Sequence, residues 1–133
     1  MKVRSIFEVL GLGNNLNNQQ ISIQERTKKF AVRIVKACTW LEGQFHVSRT
    51  LANQLLKLGT SIGANCSEAK SAQSKRDFIS KYEIALKEAR ETKYWLEIMI
   101  EAEVVSLEKF KPLTQETEEI IKILVATIKK LKE

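Results

Sequence analysis

The stretch GTSIGANCSEAKSAQSKRDF, residues 59–78, decides between two readings of the chain. Gly59 and Gly63 stand four apart among residues of helical habit, which suits either a loop that cradles phosphate or a helix packed tightly against a neighbour. The surrounding apolar residues choose between them. Leu51, Leu55, Leu58, Ile62, Cys66 and Ala69 recur at helical spacing straight through both glycines, and no strand precedes them to build a phosphate-binding loop. Glycine inside a helix costs about 1 kcal/mol relative to alanine. Two of them, with Ala52, Ala64 and Ser67 nearby, therefore mark a place where another backbone comes close. Ser61, Asn65 and Glu68 share this segment and count as helix-packing candidates with Gly59 and Gly63. The polar run SAQS ends the helix, and Ser74 with Asp77 three residues later caps the next one.

Upstream, Ser22 followed by Glu25 matches a capping box, and Phe30, Ile34, Ala37 and Leu41 carry a helical period to a stop at Gly43. A first helix over 23–43 follows. The second runs over 48–70 from a cap at Ser48, after a link containing His46. Phe78, Tyr82, Ala85, Ala89, Thr92, Leu96 and Met99 sustain the third over 75–104, a rod about 45 Å long. Pro112 suits a boundary, so the last helix is expected after Thr114, with Thr117, Ile120, Leu124, Ile128 and Leu131 as its stripe. Residues 11–20 hold turn formers and almost no apolar side chain, and 1–20 is read as a flexible arm ahead of one domain over 21–133. Four helices on short connections give an all-α fold, an up-down-up-down antiparallel four-helix bundle.

Composition agrees, with one proline and five glycines in 133 residues. Cys38 and Cys66 fall inside apolar stripes and read as small buried groups in a reducing compartment. No run of about 18 apolar residues occurs, and the amino terminus lacks a cleavage signal, so a cytoplasmic protein without membrane contact is expected. The parts for catalysis are missing too. His46 is the single histidine and has no cysteine or carboxylate at a ligand spacing. Glu83, Glu88, Glu91, Glu97, Glu101 and Glu103 alternate with Lys87, Arg90 and Lys93 as ordinary surface pairs, and no Glu-x-x-His motif exists. The expectation is no catalytic residue, no metal and no cofactor.

Charge is more informative. The chain carries +6, and over residues 24–45 Arg26, Lys28, Lys29, Arg33 and Lys36 face only Glu25 and Glu42. Arg26, Lys29, Arg33 and Lys36 are spaced three, four and three apart, so they share one helix face, with Trp40 a turn further on. Such a ribbon either meets the phosphates of RNA or DNA, with the indole stacking on a base, or is a solvated face bordering an apolar stripe. On the third helix Lys81, Glu88, Glu91 and Trp95 form a second stripe. With Tyr94 and Ile98 it is either a subunit contact rimmed by charge or part of a larger core.

The run SIGANCSEAKSAQSKRDFISKYEIALKEARETKYWLEIM, residues 61–99, resembles the four-helix-bundle proteins encoded within intervening sequences of bacterial 23S ribosomal RNA genes. It has their SIGANxxEA stretch, the Ser-x-x-Asp-Phe start and the Ala-x-x-Glu-Ala-x-Glu-Thr-x-Tyr-Trp-Leu run. A looser likeness covers 21–133. The resemblance implies a bundle that assembles as a ring of five, a homopentamer. It also implies kinship in fold with the accessory protein of diversity-generating retroelements, which binds a reverse transcriptase and nucleic acid. By position Ser61, Asn65, Glu68, Lys81, Glu88, Glu91 and Trp95 match the family's polar and aromatic marks, which implies structural or interface roles. Cys66 departs from the aliphatic residue common there. The function expected is a non-enzymatic ring binding structured RNA or other nucleic acid, the alternative an adaptor for a protein such as a reverse transcriptase.

Overall fold

Short polar side chains set where the helices start. The computed structural model describes residues 21–44 and 46–133, and the arm expected over 1–20 lies outside them. Helix α1, Ile23–Glu42, follows Ser22, whose Oγ accepts from the Glu25 N–H at 3.1 Å. Helix α2 spans His46–Ala69 and so takes in His46, expected in a link. Helix α3, Lys75–Glu101, follows Ser74, whose Oγ accepts from the Asp77 N–H at 3.0 Å while the Asp77 carboxylate accepts from the Gln73 N–H at 3.3 Å. Helix α4, Leu107–Lys132, follows Ser106, whose Oγ accepts from the Lys109 N–H at 3.2 Å.

The start of α4 corrects the sequence reading, because Pro112 lies inside the helix instead of ahead of it. Phe110 and Leu113 are buried and continue the stripe of Thr117, Ile120 and Leu124 backwards. Burying two such side chains contributes about 1.5–3 kcal/mol each, which offsets the roughly 3 kcal/mol that an interior proline costs. At the other end of the connection α3 stops three residues short of the expected 104. The Val104 N–H bonds to the Met99 carbonyl at 2.9 Å and the Glu103 N–H to the Ile100 carbonyl at 3.0 Å, a Schellman ending with Glu103 at φ 60°. A glycine is at ease there and a glutamate is not. Glu103→Gly is therefore expected to raise the unfolding free energy by about 0.5–1 kcal/mol, read from urea denaturation.

Sequential helices pack side by side, α1 on α2, α2 on α3 and α3 on α4, and α4 returns against α1 through the loosest of the four seams. The pairs Lys93–Glu118 at 3.7 Å and Lys132–Glu83 at 2.8 Å run in opposite sequence order along α3 and α4, as antiparallel neighbours require. Phe30, Ile34, Leu55, Ile62, Tyr82, Leu96, Met99, Phe110, Ile120 and Leu124 fill the centre. Four threonines, Thr27, Thr92, Thr117 and Thr127, are fully buried as well. Each hydroxyl donates to the carbonyl four residues back in its own helix, at 2.7–2.8 Å, so none needs a partner across the core. No helix among the described residues is long and apolar enough to cross a membrane.

The 59–78 stretch is helical through both glycines, and their neighbours explain them. A methyl group on Gly63 would sit 3.1 Å from the Thr27 carbonyl oxygen and 3.2 Å from its carbon, against the backbone of α1. On Gly59 it would sit 2.8 and 2.9 Å from Cγ1 and Cγ2 of Ile34. Ser61 Oγ donates to the Leu58 carbonyl at 3.0 Å and the Asn65 amide to the Ser61 carbonyl at 2.9 Å, both within α2.

Candidate nucleic-acid interface

Between residues 26 and 41, α1 carries five cations and no carboxylate. The ribbon along it is divided by its partners. Arg26 is taken up by the fold: its Nε and Nη2 donate to the two Glu116 carboxylate oxygens on α4 at 2.7 and 2.8 Å. Those bonds hold the guanidinium above its ordinary value, against a smaller downward push from burial. Trp40, at the other end, is 37% exposed and packs on α4 too. The Lys109 ammonium lies 3.6 Å from its ring centroid, and the Phe110 ring is tilted against it at 6.3 Å. Lys29, Arg33 and Lys36 between them are exposed, and among the described residues no carboxylate lies within ion-pair distance of any of the three.

Exposed Lys28 extends this set round α1 to a groove of about 450 Å³ on the α1–α2 seam. Ala31, Gly63 and Ala64 keep its floor low, Thr60 and Ser67 add hydroxyls, and Lys70 stands on the α2 side. A second hollow, of about 570 Å³, lies at the α3–α4 connection, where Trp40, Ile100, Val104 and Leu107 make an apolar wall beside Lys109.

The stripe expected on α3 is also resolved into parts. Lys81 pairs with Glu68 of α2 at 3.3 Å, Glu88 is half-buried and Glu91 exposed. Trp95 is half-buried against the core, and Tyr94, 58% exposed, meets it edge-on at 5.5 Å. Ile84, 39% exposed, falls between Lys81 and Glu88 on the same stripe.

Among the described residues no three His, Cys, Asp or Glu side chains converge on a position that could hold a metal ion. Cys38 and Cys66 are free and buried, and the Cys38 thiol donates to the Ala52 carbonyl at 3.3 Å. Burial pushes Cys38 up to about 11 and Cys66 up to about 12, and raises the Tyr82 phenol as well. Unfolded, the thiols release protons near their ordinary value of 9.0, so above that pH the unfolded chain binds fewer protons than the folded one. Stability is thus full below pH 9 and falls as pH rises toward 11–12. Urea unfolding at pH 7.5, 9 and 10.5 is expected to show that fall, and Cys66→Ala to make it shallower.

Sequence reasoning missed Glu116, Lys109, Lys70 and Ile84. Phe110 and Leu113, seven and four residues ahead of Thr117 in the same period, were the available signal for Lys109, since they carry α4 back through Pro112. The partnership of Arg26 with Glu116 spans 90 residues and has no periodic signature.

The protein is therefore an antiparallel four-helix bundle with a cationic ribbon on one helix, paired at Arg26 and without ion-pair partners among the described residues at Lys29, Arg33 and Lys36. The chain belongs to the 23S rRNA-intervening sequence protein family, whose sequence model matches residues 19–126. Among solved structures it is similar to a protein of unknown function from the S23 ribosomal protein family of Bacteroides thetaiotaomicron VPI-5482. The two are 43% identical, with a TM-score of 0.73, over 80% of this chain and 95% of that one. No curated protein matches the chain.

Proposed function

We propose that this chain is a non-enzymatic, self-associating cytoplasmic bundle that binds nucleic acid, structured RNA first, through α1. One observation carries the reading: Lys28, Lys29, Arg33 and Lys36 crowd one helix, none in an ion pair among the described residues and only Glu25 beside the first two, whereas Lys93, Lys122, Lys130 and Lys132 on α3 and α4 each meet a glutamate. A surface serving only solubility intersperses the two signs. Cations left unpaired in one place instead favour a polyanion and its counterion release. The family's description ties it to 23S rRNA intervening sequences, which makes RNA the first probe. Fluorescence anisotropy with a structured RNA across a salt series is expected to show affinity falling steeply with salt. Absence of salt-dependent binding to any RNA or DNA would sink the reading.

Self-association is assigned to the α3 stripe, where Ile84 and Trp95, the latter beside Tyr94, alternate with Lys81, Glu88 and Glu91. A ring of five, as the resemblance implies, would repeat the α1 ribbon five times and multiply its field. Ile84→Glu is expected to reduce the light-scattering mass to one chain while circular dichroism stays helical. A parent protein that is already a stable monomer would remove this part of the proposal.

The hollow walled by Trp40, Ile100, Val104 and Leu107 supports a second reading, an adaptor for a protein such as a reverse transcriptase. Pull-down from nuclease-treated lysate separates the two. A stoichiometric protein retained without nucleic acid supports the adaptor, and loss of every partner after nuclease counts against it.

A further inference from the structure

We infer that the α1 ribbon holds the backbone of a nucleic-acid double helix and does not stack on unpaired bases. This rests on the nucleic-acid reading above and narrows its ligand. Proteins that take single strands regardless of sequence combine a cationic track with aromatic faces, and each stacked base contributes about 1–3 kcal/mol. The ribbon supplies the first part and lacks the second. Of the rings that the described residues expose, Trp40 alone lies on the ribbon, and the Lys109 ammonium already covers its face at 3.6 Å while Phe110 packs beside it. A base seeking that face must first displace a cation–π contact. Tyr94, the other exposed ring, is on α3, which packs on α2 and α4, and it is turned edge-on to Trp95.

What α1 does offer is a stiff row of charge. Lys29, Arg33 and Lys36 rise through about 10 Å of helix axis. That is about the axial length of three phosphate-to-phosphate steps along one strand, at about 3.4 Å each. A duplex holds its phosphates at fixed intervals and so matches fixed cations, whereas a flexible single strand must first be ordered, at a cost in free energy. The α1–α2 groove lies alongside, where Lys28 and Lys70, with Glu25 also on the rim, stand over a floor of Ala31, Gly63 and Ala64. Small residues there let a sugar–phosphate strand approach the helices closely. Ser67 and Thr60 add hydroxyls that can meet phosphate or ribose oxygens. Contacts of this kind position a duplex by shape and carry little sequence information.

The experiment compares three labelled probes of one sequence, a 20-nucleotide RNA without secondary structure, the same strand annealed to its RNA complement, and the corresponding DNA duplex. Each is titrated with the purified full chain at 50, 100 and 200 mM salt. The expected result is duplex binding at least tenfold tighter than the single strand. Trp40→Phe is expected to change duplex affinity less than twofold, and Arg33→Gln to weaken both duplexes while lowering the salt slope by about one. Equal affinity for the RNA and DNA duplexes supports recognition of the phosphates alone, and preference for RNA supports a ribose contact in the groove. A single strand bound as tightly as the duplex, or a tenfold loss of binding in Trp40→Phe, overturns the duplex inference and leaves nucleic-acid binding standing. No binding by any probe at 50 mM salt overturns both.

Discussion

Replacing Gly63 with leucine is expected to prevent the bundle from folding. A single methyl group at this position already reaches 3.1 Å from the Thr27 carbonyl oxygen and 3.2 Å from its carbon, and those atoms belong to the α1 backbone. A backbone cannot rotate out of the way as a side-chain tip can. Relief requires moving α1 as a body, which opens the packing of Phe30 and Ile34 against α2. Overpacking by even a few carbons costs about 1–3 kcal/mol where side chains can shift, and small domains are stable by only about 5–15 kcal/mol in total. Alanine is the graded test. It recovers about 1 kcal/mol of helix propensity, yet the contact with Thr27 is expected to outweigh that gain and leave Gly63→Ala about 1–2 kcal/mol less stable than the parent. Urea denaturation at neutral pH decides, and an alanine variant more stable than the parent would refute the close-packing account. Gly59 behaves differently because its neighbour is a side chain. Gly59→Ala is expected to destabilise alone, but to be neutral or stabilising once Ile34→Ala has removed Cγ1, Cγ2 and Cδ1. The double-mutant cycle should therefore show a coupling of about 1–3 kcal/mol.

These glycines were legible in the sequence because a period of 3.6 running through two costly residues is a conflict that close packing alone resolves. Two Ser caps were equally readable, since Ser22 and Ser74 satisfy the N–H groups that their spacing implies, whereas Ser48, expected to cap α2, lies inside that helix. Ser106 was not read, because Pro112 carried a stronger local signal than the burial of Phe110 and Leu113, which depends on the rest of the bundle. The candidate site shows the same boundary between local and distant information. Spacing placed Arg26, Lys29, Arg33, Lys36 and Trp40 on one face, and the structure keeps them there. Spacing could not say that α4 would engage the first and last of them, through Glu116 and Lys109, and leave the middle three open to solvent. On α3 the stripe of Lys81, Glu88, Glu91 and Trp95 gained Ile84 only when its exposure was known.

The largest functional effect is expected from reversing those middle three cations together, Lys29, Arg33 and Lys36 to glutamate. Each reversal removes two charges, so the net charge of +6 becomes zero. The helix itself is expected to survive. All three positions are exposed, and surface changes of this kind usually stay within about 0.5 kcal/mol each. Like charges already sit four apart at Lys29 and Arg33, so exchanging both signs leaves the repulsion between them as it was, while residue 29 loses its attraction to Glu25 and gains one to Arg26. Binding is different, because a phosphate that gained an ion pair now meets an anion. Loss of three contacts lowers the salt slope by about 2.7, and affinity at 100 mM salt is expected to fall at least a hundredfold. The control is Lys122, Lys129 and Lys130 to glutamate on α4, which makes the same change in net charge on a surface where Glu119 and Glu133 already meet two of the three lysines. A general attraction between a basic protein and a polyanion predicts equal losses for the two variants. Recognition by the ribbon predicts that the α4 variant keeps most of its affinity and nearly all of its slope. Parallel anisotropy titrations of both variants, with circular dichroism to verify the fold, distinguish a binding face from a merely basic molecule, and equal losses would remove α1 from its assigned role.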